Sequence, residues 1–416
     1  MTTPNVLFVL ADDMGWADLG SYGSPDLRTP HLDRLAAEGV RFTDGYATAP
    51  WCSQTRIGLY TGRYPARIAG GLPEPIDKPN PVDGLPPEHP TLASLLAGAG
   101  YRTALFGKWH CGYLPWFSPT RSGWQEFFGN LAGGMDYYSH LNYHGEHDLY
   151  EGETPVSDHG YYTDSVTDRT CEFLGRAHDR PWLLNLNFTT PHWPWEAPGD
   201  RAKSERLTAR LRAGGTRVFQ DRAEGSRAVY AAMVEHLDTS MGRVLDALRA
   251  TGQDRDTLVV FASDNGGDFF SDQGGLDGMK GRLSEGGIRV PTIAWWPGRI
   301  APRVEATPVV THDFTATVLA LTGVAPTLPL DGADLSGLLL DGTPLAERDL
   351  FWRIRDSAAL RRGRWKWLRT ADGEALYDVV ADRGETTDRS AREPALAADL
   401  RGSWERTDGT LVPLSS

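Results

Sequence analysis

Two acidic pairs, Asp12-Asp13 and Asp264-Asn265, each follow an apolar run rich in Val, Leu and Phe, NVLFVLA and TLVVFAS. Such runs read as strands buried on both faces of a parallel sheet, which places their ends at one edge. Three carboxylates and an amide carbonyl offer only hard oxygen ligands there, a set that suits Ca²⁺ or Mg²⁺ and disfavours zinc. Singly, each pair also reads as a cap on the helix or turn that follows. Together they favour a cation.

A basic set accompanies them. Lys108 and His110, in GKWHCG, follow the run YRTALFG two residues apart, and on extended backbone they point to one side. His192 follows WLLNLNF and is flanked by Pro191 and Pro194, which stiffen its loop. Lys280 stands in GGLDGMKGRLSEGGIRVP, whose glycines let a lysine and backbone approach a ligand closely. A snorkelling lysine or a satisfied core histidine accounts for any one of these. All four in loops at strand ends fit an anion site beside the metal.

Cys52 opens CSQTRIGLYTG, whose spacing is helical, so its sulfur falls at a helix N-terminus, where amides and dipole favour negative charge. Arg56 follows one turn later. The thiol reads either as an activated thiolate or as an inert buried side chain.

These groups need a frame. The apolar runs at 5–12, 101–107, 182–188, 257–264 and 292–296 alternate with amphipathic patterns: HLDRLAAEG, TLASLLAGAG, YYTDSVTDRTCEFLGRA, AVYAAMVEHLDTSMGRVLDALRATG and HDFTATVLALTG. This predicts an α/β fold, a large mostly parallel mixed sheet between helix layers, with ligands beyond the carboxyl ends of the strands. After it, VAPTLPLDGADLSGLLLDGTPL reads as a loop, and FWRI, RWKWLR and EALYDVV as short strands of a small antiparallel sheet. The expected units are residues 1–340 and a C-terminal α+β unit, 341–416. Residues 199–227 read as a charged insertion, a solvated helix and loop, with a lid or partner surface as the other reading. Trp109, Trp116, Tyr137 and Tyr138 are either core or stacking surfaces for a sugar or aryl ring.

A formal charge of −13 argues against nucleic acid, which needs clustered Lys and Arg. Three cysteines without a CxxC indicate neither a disulfide framework nor a zinc finger, which favours a reducing, cytoplasmic setting. The run in MTTPNVLFVLADD is too short for a membrane span and lacks a basic lead, so no membrane partner is expected. Fourteen Trp in an acidic chain leave room for a homo-oligomer surface.

In order along the chain, ADDMGWADLGSYG, CSQTRIGLYTGR, GKWH, TPHWPW, SDNGG, GMKGRLSEGGIRVP and LYDVVADRGE resemble the motifs of type I sulfatases. These are the formylglycine-dependent, arylsulfatase-like enzymes of the alkaline phosphatase superfamily, and the likeness spans nearly the whole chain. The resemblance implies a calcium ion on Asp12, Asp13, Asp264 and Asn265, and a Cys52 that a separate maturase oxidises to formylglycine, whose hydrated aldehyde also touches the metal. It implies that Arg56 holds that diol, that Lys108 and Lys280 grip sulfate oxygens, that His110 helps release sulfate, and that His192 serves the leaving group. The implied reaction is hydrolysis of an anionic aryl or carbohydrate sulfate ester.

One position departs from the family's C-x-P-x-R: Gln54 stands where proline is expected. Proline would hold the unfolded segment extended for the maturase, and glutamine removes that restriction. Two other readings therefore stay open. One is a phosphonate or phosphate ester hydrolase on the same groups; the other is a non-hydrolytic descendant with unmodified Cys52.

Overall fold

The computed structural model describes residues 3–414. Its strands are β1 (Asn5–Ala11), β2 (Val40–Phe42), β3 (Gly45–Tyr46), β4 (Arg102–Gly107), β5 (Glu126–Gly129), β6 (Tyr150–Glu151), β7 (Thr154–Pro155) and β8 (Trp182–Asn187). They continue with β9 (Thr257–Ser263), β10 (Thr292–Trp295), β11 (Arg303–Glu305), β12 (Val309–Val310), β13 (Asp349–Ile354), β14 (Ser357–Arg362), β15 (Trp365–Thr370) and β16 (Gly373–Asp378). The helices are α1 (Pro30–Glu38), α2 (Cys52–Thr61), α3 (Leu92–Gly98), α4 (Tyr162–Gly175), α5 (Arg201–Arg212), α6 (Arg227–Ala250), α7 (Glu285–Ile288), α8 (Asp313–Thr322), α9 (Ser336–Asp341) and α10 (Pro394–Asp408). Among the described residues no helix is long and apolar enough to cross a membrane.

A ten-stranded sheet runs in the order β11-β2-β10-β9-β1-β8-β4-β5-β6-β7. Its centre, β9-β1-β8-β4-β5, is parallel, and β10 runs antiparallel to both β9 and β2. The alternation of β1 explains the layering. Leu7, Val9 and Ala11 join one core with Met233, Leu237 and Met241 of α6 and Leu32 of α1. Val6, Phe8 and Leu10 join the other with Ile57 of α2, Leu96 of α3 and Phe314 of α8. Period two thus sends successive side chains into opposite helix layers, each buried Val, Leu or Phe contributing roughly 1.5–3 kcal/mol.

The α/β expectation is met, and all five apolar runs are strands of the large sheet. Register does the rest for function. Ala11 pairs with Ser263 and Gly107 with Asn187, so the segments after β1, β9, β8 and β4 emerge side by side at one edge.

The second sheet, β13-β14-β15-β16, is antiparallel throughout. Its strand β14, SAALRR, was not anticipated. The stretch read as a loop also departs from expectation: it contains α9, because Leu335, Leu338 and Leu339 bury themselves in the core under α8. Buried ion pairs tie the second sheet to the first. Lys366 Nζ lies 3.0 Å from Glu285 and 2.9 Å from Glu385, while Arg361 and Arg289 both engage Asp44. Glu285 opens α7, directly after the loop that carries Lys280, so the C-terminal sheet braces that loop.

Candidate active site

At the strand ends, three buried carboxylates each hold a cation, fully buried for Lys108 and Arg56 and facing the cavity for Lys280. Lys108 Nζ lies 2.5 Å from Asp12 Oδ2, Lys280 Nζ 2.7 Å from Asp13 Oδ2, and Arg56 Nη2 2.8 Å from Asp264 Oδ2. Arg56 adds a bond from Nε to the same oxygen, and its Nη1 donates to the Lys108 carbonyl, which fixes the guanidinium plane. Burial costs such pairs several kcal/mol per ion unless geometry compensates, so the cluster is maintained at the expense of stability. Burial, then the charge of Asp264, pushes the Asp12 carboxyl up to about 7. Burial opposes the charge on Asp264, but Arg56, Lys108 and Lys280 together outweigh it and hold that carboxyl below its ordinary value.

Cys52 is the first residue of α2, as its spacing predicts, and all ten residues of the helix are buried. Its Sγ lies 3.4 Å from Asp12 Oδ1 and 3.8 Å from Asp13 Oδ1. Burial, then Asp12, raises the thiol well above its ordinary range, so this sulfur is a protonated donor. Asp12, Asp13, Cys52 and His192 each offer a ligand atom within 4.8 Å of the others.

Asp264 and Asn265 join this group through Asp13. Asp264 Oδ1 accepts the Asp13 amide at 3.3 Å, and Asn265 Nδ2 donates to Asp13 Oδ1 at 2.8 Å. Asn265 Oδ1 is buried without a hydrogen-bond partner. An unpaired carbonyl beside three buried carboxylates is a donor set that fits a hard divalent cation. Asp13 has φ 62°, a left-handed conformation that Asp and Asn tolerate better than other side chains.

The two histidines are held in defined tautomers by carbonyl acceptors. His110 Nε2 donates to the Ile76 carbonyl at 2.9 Å, which leaves Nδ1 with a free lone pair, buried and unpartnered. His192 Nδ1 donates to the Trp193 carbonyl at 2.7 Å, which turns Nε2 toward Asp13 Oδ2 at 3.5 Å. Burial, then Lys108, keeps His110 neutral; burial, then Lys280, does the same for His192. The expectation of extended backbone at Lys108–His110 is wrong in its reason: His110 has φ 52°, and that left-handed turn aims its ring at the site.

A cavity of about 410 Å³ opens onto Cys52, His110, His192 and Lys280. Trp109, Trp116, Tyr137 and Tyr138 do not line it. Trp109 and Tyr137 are core, Trp109 stacking on Tyr60 and Tyr137 on Tyr161. Its aromatic walls are instead Trp51, Tyr143 and Trp193. Trp51 and Trp193 adjoin Cys52 and His192 in sequence, which was the available signal. Arg217, Gln220 and Asp268 were also missed; the first two belong to the 199–227 segment, which therefore reaches the site.

Gly133 is a tight point. A Cβ there would come 2.6 Å from His110 Cε1, and the ring cannot retreat while bonded to Ile76. Gly133→Ala is expected to lower kcat roughly 10²-fold by displacing that ring, with a fold that still unfolds cooperatively in a thermal melt; wild-type kcat would show the ring position to be irrelevant.

The comparisons with known proteins agree with this geometry. The family model described as Sulfatase matches residues 4–324. Arylsulfatase A of Homo sapiens is 34% identical over 420 residues, covering 95% of this chain and 81% of that protein. N-acetylgalactosamine-6-sulfatase of Canis lupus familiaris is 34% identical, covering 87% of this chain and 71% of that protein. Among solved structures, Ps i-CgsB in complex with k-i-k-neocarrahexaose superposes with a TM-score of 0.84 at 29% identity, covering 97% of this chain and 92% of that one.

Proposed function

This chain belongs to the sulfatase family and is a sulfuric ester hydrolase, and from that premise we propose that residue 52, matured from cysteine to formylglycine, works beside a calcium ion on an aryl or carbohydrate sulfate. The observation that carries the reading is the cluster at one sheet edge in which Cys52 Sγ meets Asp12 and Asp13, these join Asp264 and the unpaired Asn265 carbonyl, and each carboxylate holds a cation.

Asp12, Asp13, Asp264 and Asn265 would hold the cation, which supplies charge neutralisation and lowers the pKa of a coordinated hydroxyl. The hydrated aldehyde of formylglycine would supply the attacking oxygen, and its second hydroxyl a way to expel sulfate that a plain serine lacks. The rest belongs to the chain's own side chains. Lys108 and Lys280 each carry three donors, of which one is spent on a carboxylate, leaving others for the non-bridging sulfate oxygens. Arg56, held flat by Asp264 and the Lys108 carbonyl and lying one turn along α2 from residue 52, would steady the diol there. His192 presents Nε2 where a leaving alkoxide needs a proton, which the ring must first acquire; an anionic substrate and Asp13 favour that protonation. His110 offers the free lone pair of Nδ1 as the base for sulfate release.

Gln54 bears on maturation and not on the folded site. It sits in the first turn of α2, where backbone N–H groups lack intrahelical acceptors, so proline and glutamine both fit. The substitution therefore acts on the unfolded segment that a maturase reads, and a maturase tolerant of glutamine is part of the proposal.

The reading is tested by comparing 4-nitrophenyl sulfate with an aryl phosphonate monoester. A kcat/KM at least about tenfold higher for the sulfate is expected, equivalent to about 1.4 kcal/mol in the barrier. The reverse preference would move the site to phosphonate hydrolysis.

A further inference from the structure

A second cavity, of about 620 Å³, adjoins the one at Cys52, and the two share Trp193, Arg217, Gln220 and Asp268 in their walls. Beyond Trp193 it is bounded by Trp195 and Phe269 and by arginines of the 199–227 segment. The charges there are nearly all accounted for. Arg210 pairs with Asp221 at 3.2 Å and Glu224 at 2.6 Å. Arg222 lies over the Phe269 ring, 3.0 Å from its centroid, and both it and Lys280 act on Asp268. Arg217 differs: among the described residues its guanidinium has no ion pair or side-chain hydrogen bond, yet it stands where the two cavities meet.

That placement is built. Val218 and Phe219 are buried with Leu207 of α5 against Tyr143 and Trp193, which pins the segment to the cavity wall. Arg217 itself has φ 53°, a left-handed backbone that a non-glycine residue adopts only against steric strain. Arg217 is solvent-exposed, and in a chain of net charge −13 an unpaired guanidinium at the mouth of an anion site is free to engage a second anion.

We propose that the two cavities form one cleft for a saccharide, in which the sulfate ester enters at residue 52, Trp193 packs between neighbouring sugar units, and Arg217 grips a second sulfate on the next unit. This rests on the sulfatase reading. Aromatic faces on both sides of Trp193 suit pyranose rings, and a guanidinium suits a sulfate bidentately.

The test measures Ki for inhibition of 4-nitrophenyl sulfate hydrolysis by two disaccharides, one with a single sulfate ester and one with a second sulfate on the adjoining unit. Inhibition is readable whether or not the disaccharide is cleaved. The wild type should bind the disulfated compound at least about tenfold more tightly, the scale of one charge-assisted bond. Arg217→Ala should bring the ratio of the two Ki values close to one, and Arg217→Lys should retain part of it. A ratio unchanged in Arg217→Ala, or a wild type indifferent to the second sulfate, overturns the inference while leaving the sulfatase reading intact. No hydrolysis of any sulfate ester by the wild type overturns both.

Discussion

Asp13→Asn should lose bound metal and catalytic activity together. Asp13 Oδ2 receives Lys280 at 2.7 Å, Oδ1 receives Asn265 at 2.8 Å, and the backbone is left-handed, so asparagine keeps size and conformation while removing one charge and one of the two acceptors. Alanine would add backbone strain and leave both Lys280 and Asn265 with no acceptor at that position, which confuses unfolding with loss of function. The isosteric variant changes the charge and one hydrogen bond with the least change of shape, and a thermal melt checks that it stays folded. Metal content measured by elemental analysis should fall well below that of the wild type, and kcat/KM roughly 10³-fold or more, the scale of losing a charge-stabilising group in a buried site. Asp264→Asn should behave alike, with Arg56 keeping hydrogen bonds to the amide oxygen. Chelating the wild type should reproduce the loss, and added Ca²⁺ should reverse it. Full activity after exhaustive chelation would contradict the metal assignment.

Cys52→Ala and Cys52→Ser carry the second large effect. Alanine removes the side chain that maturation needs, so steady-state turnover should drop by roughly 10⁶-fold, comparable with losing a nucleophile in other hydrolases. The fold should tolerate it, because the void is about one methyl group and costs about 1 kcal/mol. Serine is more informative. A hydroxyl can take the sulfuryl group from the ester but cannot release it by reforming an aldehyde, so any product should appear as at most one equivalent per enzyme, without sustained turnover. Sustained turnover by Cys52→Ala would remove residue 52 from the chemistry.

Much of the frame was legible in the sequence because its physics is local. Runs such as NVLFVLA and TLVVFAS, short, apolar throughout and rich in Val, read as strands buried on both sides, and the groups that follow them, Asp12-Asp13 and Asp264-Asn265, then emerge at their ends. The helical spacing after Cys52 placed the sulfur at the start of α2 for the same reason. Features set by long-range contacts were less visible. The left-handed turn at His110 depends on the Ile76 carbonyl thirty-four residues earlier in the chain. Helix α9 forms within a Pro- and Gly-rich stretch because its leucines find the core under α8, an outcome that local propensity does not announce. Trp109 and Tyr137 look like ligand platforms in sequence but are consumed by packing. Arg217, by contrast, hid within a charged run, and only the turn that pins Val218 and Phe219 turns it toward the cavity.

The account depends most on the chemical state of one side chain. Residue 52 in enzyme purified from its native host and shown to hydrolyse 4-nitrophenyl sulfate should be read by peptide mass spectrometry of the segment containing WCSQTR. The account predicts a peptide carrying an aldehyde or its hydrate in place of the thiol, in a fraction that tracks specific activity across preparations. Full activity with residue 52 present only as an alkylatable cysteine would contradict it.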